Sequence, residues 1–345
     1  MSASPIQPRN DTGEDTHAGA DRARETLAGV SNASAEKPST DPIVVIGNFD
    51  GVHRGHRALL ERAASVVPGA PLVAVTFEPH TMAVLRPDLA PTRLTPSTRK
   101  AELLHDAGVD DVVVVGFDAD VAGWSPEEFI ANVLAPLHPA VIVVGDGFRF
   151  GHKAKGDVST LMDAGLRVET IPVVEVEING HPTLVSSSAI RYALAAGEVE
   201  AAAELLGRPH RVCGMVVRGD QRGRALLGYP TANLPATADE AVPADGVYGG
   251  WLTRFDEPDA PAQPAAISVG SNPTFDGVER RVESYVLDRD DLELYGVQIA
   301  VDFTHRIRGM VKFDAIEDLV TQMHDDVDRV RDLLTGSAAG RLSRD

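Results

Sequence analysis

Pro42-Ile43-Val44-Val45-Ile46-Gly47-Asn48-Phe49-Asp50-Gly51-Val52-His53-Arg54-Gly55-His56 decides how the first half of this chain folds. Ile43–Ile46 is a short β-branched run, which favours a strand. Glycines and two histidines follow it directly and open a helical stretch, Gly55–Val66. Further apolar runs lie at Leu72–Thr76, Asp111–Val115, Val141–Val144 and Val168–Val173. Helical stretches at Thr98–Ala107, Pro126–Leu134 and Thr160–Ala164 separate them, and a helical segment from Ser188 to Leu206 closes this half. Strands that are apolar throughout and divided by helices predict a parallel α/β sheet covered on both faces.

The turn after the first strand therefore sits where open parallel sheets bind ligands, at the carboxyl ends of the strands. A helix N-terminus adds unpaired N–H groups and a dipole worth about 0.3–1 kcal/mol for an anion. Gly47, Gly51 and Gly55 let the backbone approach a phosphate closely, with Asn48, Phe49 and Asp50 completing the loop. His53 and His56 are three apart, so both imidazoles face one ligand. Together they can donate hydrogen bonds to a phosphorus centre as it gains charge, without forming a covalent intermediate. The alternative, two solvent-exposed polar histidines, does not account for their placement at a strand-to-helix turn. Ser186-Ser187-Ser188 precedes a helix, with Arg191 one turn on. A plain cap needs one serine, so the run is read as a cap that also reaches phosphate, with capping alone as the alternative.

At Gly207-Arg208-Pro209 the character changes. Short strands divided by Gly and Pro turns follow at Arg211–Val217, Gly246–Thr253, Ala265–Val269, Val282–Leu287 and Gln298–Phe303. Strands without intervening helices predict a small antiparallel β-barrel. Leu319, Val320, Met323, Val327 and Val330 then recur at helical spacing, so one amphipathic helix, Ile316 to Leu334, packs on it. Gly214, Gly219, Gly223 and Gly228 space a loop suited to wrapping phosphates, ending in Pro230-Thr231-Ala232-Asn233. Thr231 and Asn233 share one side of an extended segment and offer oxygen ligands for Mg²⁺ on ATP phosphates. A capped turn of small polar residues is the bland alternative for that segment.

The chain of 345 residues is long enough for two domains, each with its own core. They are expected at 41–208 and 209–338, between a disordered tail at 1–40 and a short tail at 339–345. A formal net charge of −19 argues against a sequence-independent grip on nucleic acid, while leaving local phosphate sites open. Cys213 is the single cysteine, so no intrachain disulfide or thiolate metal cluster forms, and its apolar surroundings mark a core residue. No stretch of about 18 apolar residues spans a membrane, and Met1 to Thr40 lacks a signal or transit pattern. A cytoplasmic protein without nucleic-acid or membrane partners, monomeric or a weak homo-oligomer, is expected.

The Gly47–His56 block resembles the H-x-G-H signature of the nucleotidyltransferase superfamily. Within it, the chain looks like the FAD synthetase domain of prokaryotic bifunctional riboflavin kinase/FAD synthetases. Thr76-Phe77-Glu78-Pro79-His80, Leu94-Thr95 with Lys100, Ser125-Pro126-Glu127-Glu128-Phe129 and Ser186–Arg191 agree in order. The Gly214–Leu234 segment resembles the riboflavin kinase signature, as do Asp245–Tyr248, Ser268–Phe275 and Arg281–Tyr285. The resemblance implies a Rossmann-like nucleotidyltransferase domain followed by the barrel, with riboflavin, FMN and ATP as substrates and Mg²⁺ accompanying ATP. It assigns Glu283 as the base for the riboflavin hydroxyl, Thr231 and Asn233 to Mg²⁺-nucleotide, and Phe77, Pro79, His80 and Phe148 to the flavin. One departure stands out. Where the family has Asn or Asp before Phe148, this chain has Gly147, with Asp146 one place early. If that polar group contacts flavin or orients the reacting phosphate, its loss weakens adenylylation, which makes a kinase-only enzyme the nearest rival; a non-catalytic flavin or nucleotide sensor that uses the same folds for regulation is a rival from another class.

Overall fold

The computed structural model describes residues 41–218, 231–274, 277–289 and 291–336. The expected tails and the loop glycines Gly219, Gly223 and Gly228 lie outside these residues. The chain forms two compact units that do not follow sequence order. Among the described residues, one comprises residues 41–48 with Ala63–Pro87 and Val109–Thr170; the other comprises Phe49–Arg62, Asp88–Gly108 and the described residues from Ile171 onward.

The first unit is built on a five-stranded sheet of β1 (Ile43–Ile46), β2 (Leu72–Glu78), β3 (Asp111–Gly116), β4 (Val141–Gly145) and β5 (Val168–Ile171). The strand order is β3-β2-β1-β4-β5. β1 pairs in parallel with β2 and β4, and β2 in parallel with β3. Every side chain of β1 is buried, as an interior parallel strand requires. Val44, Ile46, Val73, Val75, Ile142 and Val144 project to one face and pack with Phe129, Leu134, Phe150 and Leu161. The helix read over Pro126–Leu134 is α5 (Pro126–Phe129), after α2 (Thr81–Leu85) and α4 (Ala119–Gly123), and it passes into a π-helical turn at Ile130–Leu134. Pro126 occupies its first turn, and Ser125 and Glu128 cap it reciprocally. α6 (Val158–Asp163) begins on a similar box between Asp157 and Thr160.

α1 (Arg54–Val66) starts at the H-x-G-H turn, and α3 (Ser97–Asp106) belongs to the second unit. The single helix expected from Ser188 to Leu206 is two, α7 (Ser187–Ala196) and α8 (Val199–Leu206). Gly197, at φ 76°, terminates the first in the left-handed conformation. A hairpin of β6 (Glu175–Ile178) and β7 (His181–Leu184) precedes them.

The barrel comprises β8 (His210–Met215), β9 (Ala232–Pro235), β10 (Gly246–Arg254), β11 (Gln263–Thr274), β12 (Gly277–Val286) and β13 (Gln298–Gly309). Their order is β8-β13-β10-β11-β12-β9, with antiparallel pairing between successive neighbours. A bridge between Val217 and Asn233 joins the two edges, so the sheet is nearly closed. Val212, Leu234, Tyr248, Ile267, Val282, Val301 and Phe303 fill the interior. α9 (Ile316–Gly336) lays Val327, Val330 and Leu334 on the outer face against Leu287 and Ile307. Its buried Asp326 takes the Arg308 guanidinium at 2.7–3.0 Å, which fixes the helix against β13.

Candidate active site

In the second unit, the Phe49–His56 turn is strained and tightly held. Phe49 and Val52 carry φ of 48° and 37°, positions that cost non-glycine residues about 1–3 kcal/mol each. Asp50, buried, accepts the backbone N–H groups of Leu94 and Thr95 at 3.0–3.1 Å and pairs with Arg191. Arg191 also donates to the Thr92 carbonyl at 2.6 Å. Ser187 Oγ donates to the Asp50 carbonyl at 2.8 Å, while Ser186 caps α7 through the Ala189 N–H. Ser188 is exposed. Of the three serines, one is a helix cap, one ties the helix to the turn, and one faces solvent.

His53 is buried and His56 half-buried. Their rings stack at 3.6 Å, and Phe49 meets the His56 ring edge-on at 5.1 Å. The His56 N–H donates to His53 Nδ1 at 3.2 Å. Burial, reinforced by Arg208, pushes the His53 imidazole down to about 4. A neutral ring whose Nδ1 accepts carries its proton on Nε2, so His53 presents Nε2–H as a donor at neutral pH. Burial and the neighbouring His53, Arg208 and Lys100 also hold His56 well below its usual value. His56 Nδ1 is buried with no hydrogen-bond partner among the described residues. Gly55 makes the stack possible, because a Cβ there would stand 3.2 Å from the His53 ring and 3.4 Å from the Val185 carbonyl.

Arg208 is a site residue that the sequence does not reveal. From the end of α8 it donates to the Gly51 carbonyl at 2.7 Å and the Val52 carbonyl at 3.3 Å. Burial and the charges of Arg57, Arg99 and Arg211 lower it to about 10, so it stays charged at neutral pH.

Neutral buried histidines make stability pH-dependent in a defined direction. His210 is likewise pushed down to about 4 by burial, although its contact with the Ala241 carbonyl, 2.6 Å from Nε2, opposes the shift. As pH falls below 6.5 the unfolded chain binds these protons first, so stability present above pH 6.5 is lost on the way to pH 4. Each of the two histidines steepens this loss by up to about 1.4 kcal/mol per pH unit. Urea midpoints should therefore fall clearly between pH 7 and 5.5, above the range where ordinary carboxylates titrate; midpoints constant over that interval would contradict it.

In the first unit, Gly47 and Asn48 follow β1. Gly47 donates its N–H to the Val75 carbonyl, and Asn48 accepts the Thr76 hydroxyl on its carbonyl while its amide donates to Thr81. Five phenylalanines form one cluster: Phe77 lies 5.7 Å from Phe117 and 6.1 Å from Phe129, Phe129 lies 5.6 Å from Phe150, and Phe148 stacks on Phe150 at 5.5 Å. Pro79 is exposed, and His80 Nδ1 caps α2 by accepting the Met82 N–H. Phe148 is half-buried beside a turn closed by its N–H on the Gly145 carbonyl at 3.2 Å. Gly147 is the third residue of that turn, at φ 76°, and a Cβ there meets nothing within 4 Å. Glycine, Asn and Asp are the residues that tolerate this conformation, so Gly147 keeps the backbone an Asn or Asp would adopt and omits only the side chain. Gly147→Asn should unfold within about 1 kcal/mol of the parent, whereas Gly147→Val should lose about 1–3 kcal/mol in urea unfolding.

In the barrel, Asn233, Glu283 and Ser268 stand directly opposite one another on β9, β12 and β11. Paired residues share a face, so the carboxylate and the amide lie side by side, about 5 Å apart at the backbone. Arg281, Glu283 and Tyr285 are half-buried, while Val282, Ser284 and Val286 point inward. Asn233 is buried; its amide donates to the Thr231 carbonyl at 3.1 Å and hydroxyl at 3.2 Å. Asn233 Oδ1 is buried with no partner among the described residues. Thr231 is exposed, and Gly214, half-buried, lies on β8. Cys213 is half-buried, and burial pushes its thiol up to about 11, which removes it as a nucleophile at neutral pH.

Residues 35–189 match the FAD synthetase family and residues 206–334 the riboflavin kinase family. The bifunctional riboflavin kinase/FMN adenylyltransferase of Escherichia coli (strain K12) is 35% identical over 301 residues, spanning 86% of this chain and 94% of that protein. The chain belongs to this bifunctional family. The Bacillus subtilis (strain 168) member is 33% identical over 291 residues, 82% of this chain and 90% of that protein. A crystal structure described as a macrolide-efflux protein from Streptococcus pneumoniae shares the fold, with a TM-score of 0.74 and 33% identity over 86% of this chain and 96% of that one. No described helix of the present chain is long and apolar enough to cross a membrane.

Proposed function

We infer that the chain converts riboflavin and ATP to FMN and ADP with its C-terminal half, residues 209–338, and FMN and ATP to FAD and pyrophosphate with its N-terminal half, residues 41–208. The steps attack different phosphorus atoms, so they need different sites. The presence of both family segments favours two activities over the kinase-only alternative. The observation that carries the adenylyltransferase assignment is the His53–His56 pair, held neutral and stacked in a strained turn at a helix N-terminus.

In adenylylation an FMN phosphate oxygen attacks the α-phosphorus of ATP and pyrophosphate leaves. Negative charge builds on the α-phosphate oxygens, and His53 Nε2–H is a preorganised donor for it in a setting of low dielectric. The positive charges of Lys100, Arg99 and Arg57, each felt by His56 or Arg208, make this a local cationic region on an acidic chain. Asp50, Arg191 and Ser187 hold the turn.

In phosphorylation, Glu283 accepts the proton of the riboflavin primary hydroxyl as that oxygen attacks the γ-phosphorus and ADP leaves. Among the described residues no group of three or more His, Cys, Asp and Glu side chains can hold a metal ion. Mg²⁺ fits instead through ATP phosphates, with Thr231 Oγ1 and the orphaned Asn233 Oδ1 as neutral oxygen ligands. When bound, it neutralises charge on the phosphate oxygens. The assignment is tested by supplying FMN and ATP alone: FAD and pyrophosphate in equal amounts support it, and flavin binding without turnover would favour the sensor.

A further inference from the structure

The FAD synthetase match ends at residue 189 and the riboflavin kinase match begins at 206, so Arg208 belongs to the kinase segment by sequence. Its guanidinium nevertheless reaches back 156 and 157 residues to the Val52 and Gly51 carbonyls. These carbonyls flank the point where the chain enters the H-x-G-H turn, and Val52 there holds a φ that a β-branched residue adopts only under constraint. Arg208 pairs with no carboxylate among the described residues, although a neighbouring β-strand carries the Arg211–Asp302 ion pair at 2.7 Å. The half-buried Arg208 feels the Asp302 charge, yet its side-chain hydrogen bonds go to the two main-chain carbonyls and not to a carboxylate. Its planar fork meets two successive carbonyls from two separate nitrogens of one rigid plane, an arrangement that the single ammonium nitrogen of a lysine does not reproduce. Arg208 is set there by Gly207, which closes α8 through its N–H on the Ala203 carbonyl.

We propose that Arg208 is a positioning residue for adenylylation: a side chain from the kinase segment clamps the Gly51–Val52 carbonyls and so fixes His53 and His56 in the donor geometry. This rests on adenylylation taking place at the H-x-G-H turn. Because Arg208 holds the donors without contacting substrate, its loss acts on kcat more than on KM.

The experiment uses the full chain, wild type and Arg208→Ala, with FMN-to-FAD and riboflavin-to-FMN conversion measured separately. Arg208→Ala should lower kcat for FAD formation roughly tenfold to a hundredfold, the scale of a misplacement of about 1 Å. KM for ATP and the rate of FMN formation should stay near their wild-type values. Guanidinium ion at sub-denaturing concentration should restore part of the lost FAD formation, and Arg208→Lys should remain impaired. Wild-type FAD formation by Arg208→Ala, an equal loss in both reactions, or no response to guanidinium would each overturn the proposal. A wild-type protein that makes no FAD at all would instead remove the reading on which it rests.

Discussion

His53→Ala should lower FAD formation from FMN by about 10²–10³ in kcat while riboflavin is still phosphorylated, so that FMN accumulates. The magnitude follows from removing one preorganised donor aimed at charge that develops only in the transition state. His53 is suited to that task because its proton is fixed on Nε2 by the His56 N–H at Nδ1 and its pKa, near 4, keeps the ring neutral. For the same reason, the wild-type rate of FAD formation should show no inflection at the ordinary histidine value of 6.5. Chromatographic separation of the flavins from parallel reactions gives both rates. Parallel loss of FMN and FAD formation would contradict the assignment of His53 to one site only.

Glu283→Gln should lower FMN formation from riboflavin by about 10²–10⁴, the range of general-base contributions, with FAD formation from supplied FMN retained. The substitution keeps shape and hydrogen-bonding atoms but removes the proton acceptor, so the effect should fall on kcat. The strand register makes the assignment specific. Glu283 lies opposite Asn233, whose buried Oδ1 is the neutral oxygen offered to Mg²⁺-nucleotide, so base and phosphate ligand sit on adjacent strands of one face. Wild-type kcat in this variant would exclude Glu283 as the base.

Much of this was legible from residue order. Ile43–Ile46 followed by the histidine turn gave a strand entering a helix, because β-branching and the turn residues agree locally. The odd positions of Arg281–Tyr285 share a face, as alternation requires. Other elements were missed for identifiable reasons. The β6–β7 hairpin has the Asn179-Gly180 signal at its centre, with φ of 52° and 78°, but its short strands alternate with charge and lack an apolar run. β13 runs to Gly309 rather than Phe303 because its second half pairs through backbone while carrying polar side chains.

The site was legible in its motifs and not in their wiring. Asp50 and Arg191 each belong to a recognisable block, yet nothing in the sequence says that they pair across 141 residues. Arg208 carries no spacing signal, since its partners are main-chain carbonyls that any residue provides. Gly147 read as a departure from the family pattern; its left-handed backbone explains why glycine keeps the turn intact.

The central claim, that two separate sites act on two different phosphorus atoms of ATP, is tested most directly by supplying riboflavin with ATP labelled at either the γ- or the α-phosphorus. The account predicts that γ-label enters FMN and is carried into FAD, while α-label enters FAD alone. γ-Label in FMN with α-label in no flavin would contradict it and leave the chain a riboflavin kinase only.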